Sequence, residues 1–406
     1  PQSMKTLHTH SVLAFLLWAA GSGAHAQENT NAWIRAATNA PAANATIATN
    51  WSLNHAPTNG EVVYLGANST LDMTWDVTNT VLTRWVQAEG YTGMVTVATK
   101  YPGYGVLTNL QIAGDCVIEG GAWTHVANAG NTVQTDWLRV TVGGDFLVNT
   151  NAIIDLLGKG YAPTKGPGAG NSTGRGGGST STRPGKAASH GGRGGATVTL
   201  TNYSLTYGPV MSPTNLGSGA EQRGGGAIFA EVQGKTRIHG VIRADGAVQS
   251  AQETTAGSGG SVYIVTGEIE GNGYLDARGG SSCWSSGGGR IAVILTNSDS
   301  FGSVNMRAYG GSDVWDGSAG TVYREKKSDG HGQGIVHVDN GNIAVSMYTP
   351  FPWEVDPPAS PETTSEVVHA SLTITNRARV ALQSHLRMRD LVVVATNTVL
   401  NLAENT

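Results

Sequence analysis

The chain reads as an all-β protein built as a parallel, right-handed β-helix, or solenoid, with Gly-rich loop insertions. Three observations predict this fold. Of 406 residues, 57 are Gly and only 13% are charged, against ~25% charged in an average domain. That removes the Glu/Lys/Arg-rich faces on which coiled coils and long helices depend. Short apolar or alternating runs bounded by Asn, Asp and Gly recur along the chain, and no apolar stripe of helical period is sustained. Third, the runs between residues 224 and 341 fall into units. Ile228, Val262, Ile291 and Val322 are equivalent points, 34, 29 and 31 residues apart. Each opens a strand after Gly and leads to a second short strand. A unit of 20–50 residues that cannot bury its own apolar face must stack on its neighbours. An antiparallel sandwich or propeller is the alternative, since short strands with frequent turns suit those folds too.

The first 26 residues read as a signal peptide. Lys5 precedes the apolar run Val12 to Ala20, and Ala24-His25-Ala26 offers a small-x-small cleavage site. The run is shorter than the ~20 residues a membrane span needs, and no later stretch is long and apolar enough. The expectation is a bacterial protein that is secreted or held at the cell surface. Its formal charge of −4 becomes −5 once Lys5 is removed. That balance, with a pI near 6.3, excludes a dedicated nucleic-acid binder.

Residues 27–155 read as N-terminal β coils, with strands at Leu138–Val142, Phe146–Val148 and Ile153–Leu157. Residues 156–345 form the Gly-rich β-helix. Within it, 158–195 is a low-complexity loop with fourteen Gly, expected to be flexible and apart from the core. Its cations Lys159, Lys165, Arg175, Arg183, Lys186 and Arg193 face no Asp or Glu between residues 158 and 220. An anionic extracellular glycan is their natural counterpart, because Arg binds such groups bidentately. Residues 346–365, with Pro350, Pro352, Pro357, Pro358 and Pro361, read as a stiff linker. Residues 366–406 hold further coils, in which Leu372-Thr373-Ile374 recurs as Leu391-Val392-Val393. The string stops in mid-pattern, so a longer natural chain is expected. Cys116, in a strand-like run, and Cys283, in a Gly/Ser loop, are expected to remain unpaired.

One set of strings is distinctive in its order: Asp155…Gly158-Lys159-Gly160-Tyr161, Gly166-Pro167-Gly168-Ala169-Gly170, Tyr207-Gly208…Pro213-Thr214-Asn215-Leu216-Gly217-Ser218-Gly219, Gly224-Gly225-Gly226-Ala227-Ile228 and Ala319-Gly320-Thr321-Val322-Tyr323. Over roughly residues 70–341 the chain resembles the large glycine-rich, β-helical exported or surface proteins of environmental bacteria, which are adhesin-like. The resemblance implies a solenoid and export. It supplies no catalytic residues.

Chemistry-bearing patterns are sparse. No phosphate-cradling motif is present, since Gly166–Gly170 is neither a P-loop nor a G-x-G-x-x-G. The histidines are scattered, and His331 with His337 and Asp339 matches no zinc spacing. Asp313, Asp316 and Asp329 read as turn residues rather than Ca²⁺ ligands. No cofactor and no metal are expected. Glu231, Asp245, Glu268, Glu270 and Asp276 are the carboxylates a β-helical glycosidase or lyase would use, with Arg243 and Arg278 beside them. Asp245 and Asp276 align at equivalent corners of adjacent units, which favours a structural ladder over a catalytic pair. Trp75, Trp85, Trp123, Trp137, Trp284, Trp315 and Trp353 read as packing, with sugar stacking as the alternative. The functional expectation is a cell-surface or matrix structural and adhesive protein. Its partners would be extracellular polysaccharide or cell-envelope components. A polysaccharide lyase or glycoside hydrolase on the same fold is the alternative.

Overall fold

The computed structural model describes residues 29–35, 42–129, 132–171, 185–196, 203–248, 254–351, 370–382, 389–393 and 398–402. The expected signal peptide, Arg175, Arg183, Trp353 and residues 352–365 of the expected linker lie outside them. Within the described residues the protein is almost wholly β, with Ala48–Asn50 the one helical turn. A twenty-stranded, mostly parallel sheet dominates, beside a three-stranded one.

The pairings resolve into three parallel ladders that the chain visits in turn. The first joins Leu110–Ile112, Leu138–Val142, the start of Ala227–Ile238, the start of Ser261–Glu270, Arg290–Leu295 and Thr321–Glu325. The second runs from Thr30–Ala32 through Val62–Leu65 and Arg84–Gln87 to Cys116–Ile118, Phe146–Val148, Thr236–Ile238 and Ile269–Glu270. The third stacks Met73–Trp75, Met94–Val97, Ala122–His125, Ile153–Asp155, Val241–Arg243, Tyr274–Asp276 and Asn305–Arg307. As the sequence predicts, Ile228, Val262, Ile291 and Val322 are successive parallel partners. All four are buried.

Alternation sets the register. In Leu138–Val142 every second residue is buried, and a one-residue slip would turn the apolar set outward. Inward side chains of all three ladders meet in one hydrophobic cluster. Its early tiers are filled by Trp33, Trp51, Trp75, Trp85 and Trp123, which meet edge to face with centroids 5.2, 6.5, 5.2 and 5.3 Å apart. This is a favoured arrangement of ring quadrupoles. Later tiers substitute Ile, Val and Leu. The expected packing role holds for Trp75, Trp85, Trp123, Trp137 and Trp284, all at most 4% exposed. Cys116 is buried, Cys283 is half-buried, and no disulfide joins them.

The described parts of the Gly-rich insertions are packed segments. Residues 158–171, 185–196 and 217–226 interleave with 254–260, 279–289 and 310–320 as a backbone-packed layer. Gly191 and Gly192 N–H both donate to Gly288 O at 2.9 Å, Gly287 N–H to Ala188 O at 3.0 Å, and Ser318 N–H to Arg193 O at 2.8 Å. A Cβ at Gly260, Gly289 or Gly320 would collide with the carbonyl oxygen of the Gly one tier before. Here only Gly permits the backbones to approach so closely.

A reversal ends the long stack. Ile335–Asp339, expected as the second strand of the last unit, instead pairs antiparallel with Thr321–Glu325. It then starts a new parallel run through Ser371–Thr375 to Leu391–Val393. Thr349–Phe351, inside the stretch expected as linker, is a buried strand paired with Arg379–Leu382. Tyr323 and Val336 face each other across the reversal and belong to a second core with Phe351, Leu372 and Val380.

Candidate functional site

The chemistry-bearing side chains concentrate on the outward positions of the ladders. On the third ladder, Asp155, Arg243, Asp276 and Arg307 occupy one register position on four successive tiers, so the sign of charge alternates along the stack. Arg243 grips both oxygens of Asp155, each at 2.8 Å. Arg307 does the same to Asp276 at 2.7 and 2.6 Å. Such forks add geometric fixity to the charge attraction. Two residues further along each strand, Arg278 binds Asp245 at 2.9 Å and also reaches Asp276 at 3.5 Å. Burial raises the Asp245 carboxyl above its ordinary range despite that partner. Burial also opposes charge on Asp155, but the Arg243 fork outweighs it and the carboxyl titrates low.

The expected equivalence of Asp245 and Asp276 is therefore corrected. Arg243 is the neighbour of Asp276 in register, so Asp245 lies level with Arg278. The true column would have emerged by aligning the units on Ala244, Ala277 and Ala308, the small buried residue that follows each strand. Both carboxylates are paired with an Arg of a neighbouring tier.

The remaining acids are divided among other ladders. Glu231 lies on the first, 3.9 Å from Arg139. Glu268 and Glu270 lie on the second, both 3.2 Å from Lys235, with Glu270 also 2.7 Å from Arg237. Each carboxylate that a β-helical glycosidase or lyase would use thus has a cation beside it. Asp313 N–H donates to Asp316, and Asp329 accepts from Lys326 N–H, both at 2.9 Å, which is the turn chemistry expected of them. Among the described residues no group of three His, Cys, Asp or Glu is placed to hold a metal ion.

Of the expected basic set, Lys159, Lys165, Lys186 and Arg193 are described. Lys165 is exposed and the other three are half-buried. Their backbones are fixed in the glycine layer. Lys186 N–H donates to Asn171 at 2.7 Å and Arg193 N–H to Ser318 at 2.7 Å. The Arg193 guanidinium lies over the Tyr203 ring at 5.2 Å. Within the described parts of the stretch expected to be flexible, these four cations sit on packed segments, because glycine neighbours here make contacts; residues 172–184, with Arg175 and Arg183, lie outside the described residues.

Buried polar groups that the sequence did not single out brace this layer. Arg290 is fully buried and donates to Tyr207 O at 3.0 Å and to the Thr321 hydroxyl at 2.9 Å. Burial pushes its pKa down to about 9, and the guanidinium remains charged at neutral pH. His190 donates through Nδ1 to Gly259 O at 2.8 Å and packs on Tyr207 with ring centroids 4.6 Å apart. Desolvation lowers its pKa to about 3, so it is neutral. Such residues leave no linear signal, since their partners are carbonyls of distant glycine segments. No helix among the described residues is long and apolar enough to cross a membrane. No family model, curated protein or solved structure matches the chain.

Proposed function

We propose that the chain is an exported β-solenoid that serves as a structural and adhesive scaffold at a cell surface or in an extracellular matrix. The observation that carries the reading is the in-register stacking of like positions, with the outward carboxylates held by Arg or Lys on the same ladder. A catalytic acid needs its proton for substrate, whereas a carboxylate gripped at both oxygens serves to tie tiers together. Exposed side chains repeated along one axis suit contact with an extended partner, such as an extracellular polysaccharide or another cell-envelope polymer.

Two measurements test this reading. Small-angle X-ray scattering of the full chain should return a rod, and a compact globular profile would overturn the solenoid. Incubation with plant and algal polysaccharides should release neither reducing ends nor unsaturated products. Release that a single carboxylate substitution abolishes would replace the scaffold with a polysaccharide-active enzyme.

A further inference from the structure

Beside the Asp/Arg column, the third ladder carries a second outward column: Met94, Ala122, Ile153, Val241, Tyr274 and Asn305, consecutive partners in register. It is apolar for five tiers and ends in an amide. Met94 and Tyr274 are 36% and 38% exposed, and the three residues between them are half-buried. At ~4.8 Å per tier the six positions extend about 24 Å in a straight line. The Tyr274 ring is fixed from one side by the Arg307 guanidinium, 4.0 Å from its centroid.

We propose that this apolar column and the adjoining ion ladder form a track for a linear, neutral polysaccharide lying along the ladder axis. The inference names the ligand class for the adhesive reading and rests on it. Charge balance selects the class. Asp155, Arg243, Asp276 and Arg307 sum to zero, and both oxygens of each carboxylate already hold a guanidinium. A polyanion or polycation would have to break a bidentate pair at every second tier. A hydroxyl both donates and accepts. It can use the Asp155 lone pairs and the Arg243 and Arg307 N–H groups that the forks leave over, which are partly exposed, without displacing either partner. Sugar rings also present apolar C–H faces between hydroxyl rims, which match an apolar column bordered by a polar one. A polymer repeating in one dimension meets a surface repeating in the same dimension. Its side chains are held in place beforehand, which limits the ordering cost of binding.

The test is affinity electrophoresis of the full chain in gels containing hydroxyethylcellulose, xyloglucan or alginate. At least one neutral polymer should retard the parent, and at about 1 M salt, where ionic contacts of the basic set are screened, alginate should not. Retardation should persist from about 0.1 M to about 1 M salt, because no ionic contact carries it. Val241→Asp and Tyr274→Ala should each weaken it about tenfold or more, equivalent to ~1.4 kcal/mol. Val314→Ser, at an exposed position of the glycine layer, should leave it unchanged. Near-ultraviolet circular dichroism establishes that each variant is folded, and Val241→Thr gives a milder polar change if Val241→Asp is not. The track is overturned if neither neutral polymer retards the parent, if alginate does so as strongly at about 1 M salt, or if folded Val241 and Tyr274 variants match the parent. It is also overturned if the face mediates a concentration-dependent dimer that Val241→Asp dissolves without any neutral polymer binding. Each of these outcomes leaves the scaffold reading standing, since that depends on rod shape and absence of turnover.

Discussion

Asp276 is 2% exposed and holds Arg307 through both oxygens, with Arg278 3.5 Å away. A buried carboxylate that loses its main partner retains the desolvation cost without the compensation. Arg307→Met should therefore destabilise the fold by about 2 kcal/mol, a figure reduced because Arg278 remains nearby. Adding Asp276→Asn should recover part of the loss, and urea unfolding of the single and double variants measures both. Trp123 makes a comparable case in the core. Its Nε1–H donates to Gln87 Oε1 at 3.0 Å, and Gln87 in turn donates to Gly120 O. Trp123→Ala should cost about 3–5 kcal/mol through lost packing. Packing is the role expected of the tryptophans from sequence, with sugar stacking as the alternative. Their mutual contact was not legible there, because Trp75 and Trp85 sit ten residues apart on different ladders and meet only across the interior.

At the level of strands and segments, glycine performs two separate jobs. Gly289 has a backbone neighbour where a Cβ would go, whereas Gly103 has open space and a φ of +89°. Gly103→Ala should cost only the ~1–2 kcal/mol of a left-handed backbone. Gly289→Ala should cost considerably more, since the carbonyl of Gly260 has to move and with it the tier behind. Thermal unfolding of the two variants side by side separates conformation from collision. Register is open to a chemical check as well. In a Cys283→Ser background, Val241→Cys with Tyr274→Cys should oxidise readily, because parallel partners ~4.8 Å apart lie within disulfide reach. Ile153→Cys with Tyr274→Cys, two tiers apart, should not. The first ladder was legible because Gly precedes each of its later strands, so the spacing of the units survives variable insertions. The packed glycine layer was hidden, as its hydrogen bonds join segments such as Gly191 and Gly288 that composition alone cannot relate.

Across the whole molecule, acid should be destabilising well before the carboxylates titrate. His125 and His190 are buried and His337 is half-buried, and desolvation lowers their pKa values to about 4, 3 and 4. An unfolded histidine titrates near ~6.5, so below that pH the unfolded state binds more protons than the folded one. Their contribution is whole above about pH 6.5 and falls as pH drops toward 4, by about 2 kcal/mol at pH 5 for a residue as buried as His125. Asp145 and Asp155, held below their ordinary range, weaken the fold only at pH values under those. The midpoint of thermal unfolding should decline between pH 7 and pH 5, and a flat profile there would contradict neutral buried histidines. His337 has a second stake, because it accepts a hydrogen bond from Arg324 where the strands reverse direction. Protonation would set two cations against each other at the junction of the two cores. The alternating Asp155, Arg243, Asp276 and Arg307 column also imposes a parity rule on any change in the number of tiers. Excising the tier that bears Asp276 would seat Arg243 against Arg307. Excising the tiers of Arg243 and Asp276 together would bring Asp155 to Arg307 and restore an opposite pair. Along this face the protein can be shortened or lengthened in twos at little electrostatic cost, and in ones only by placing like charges on adjacent strands.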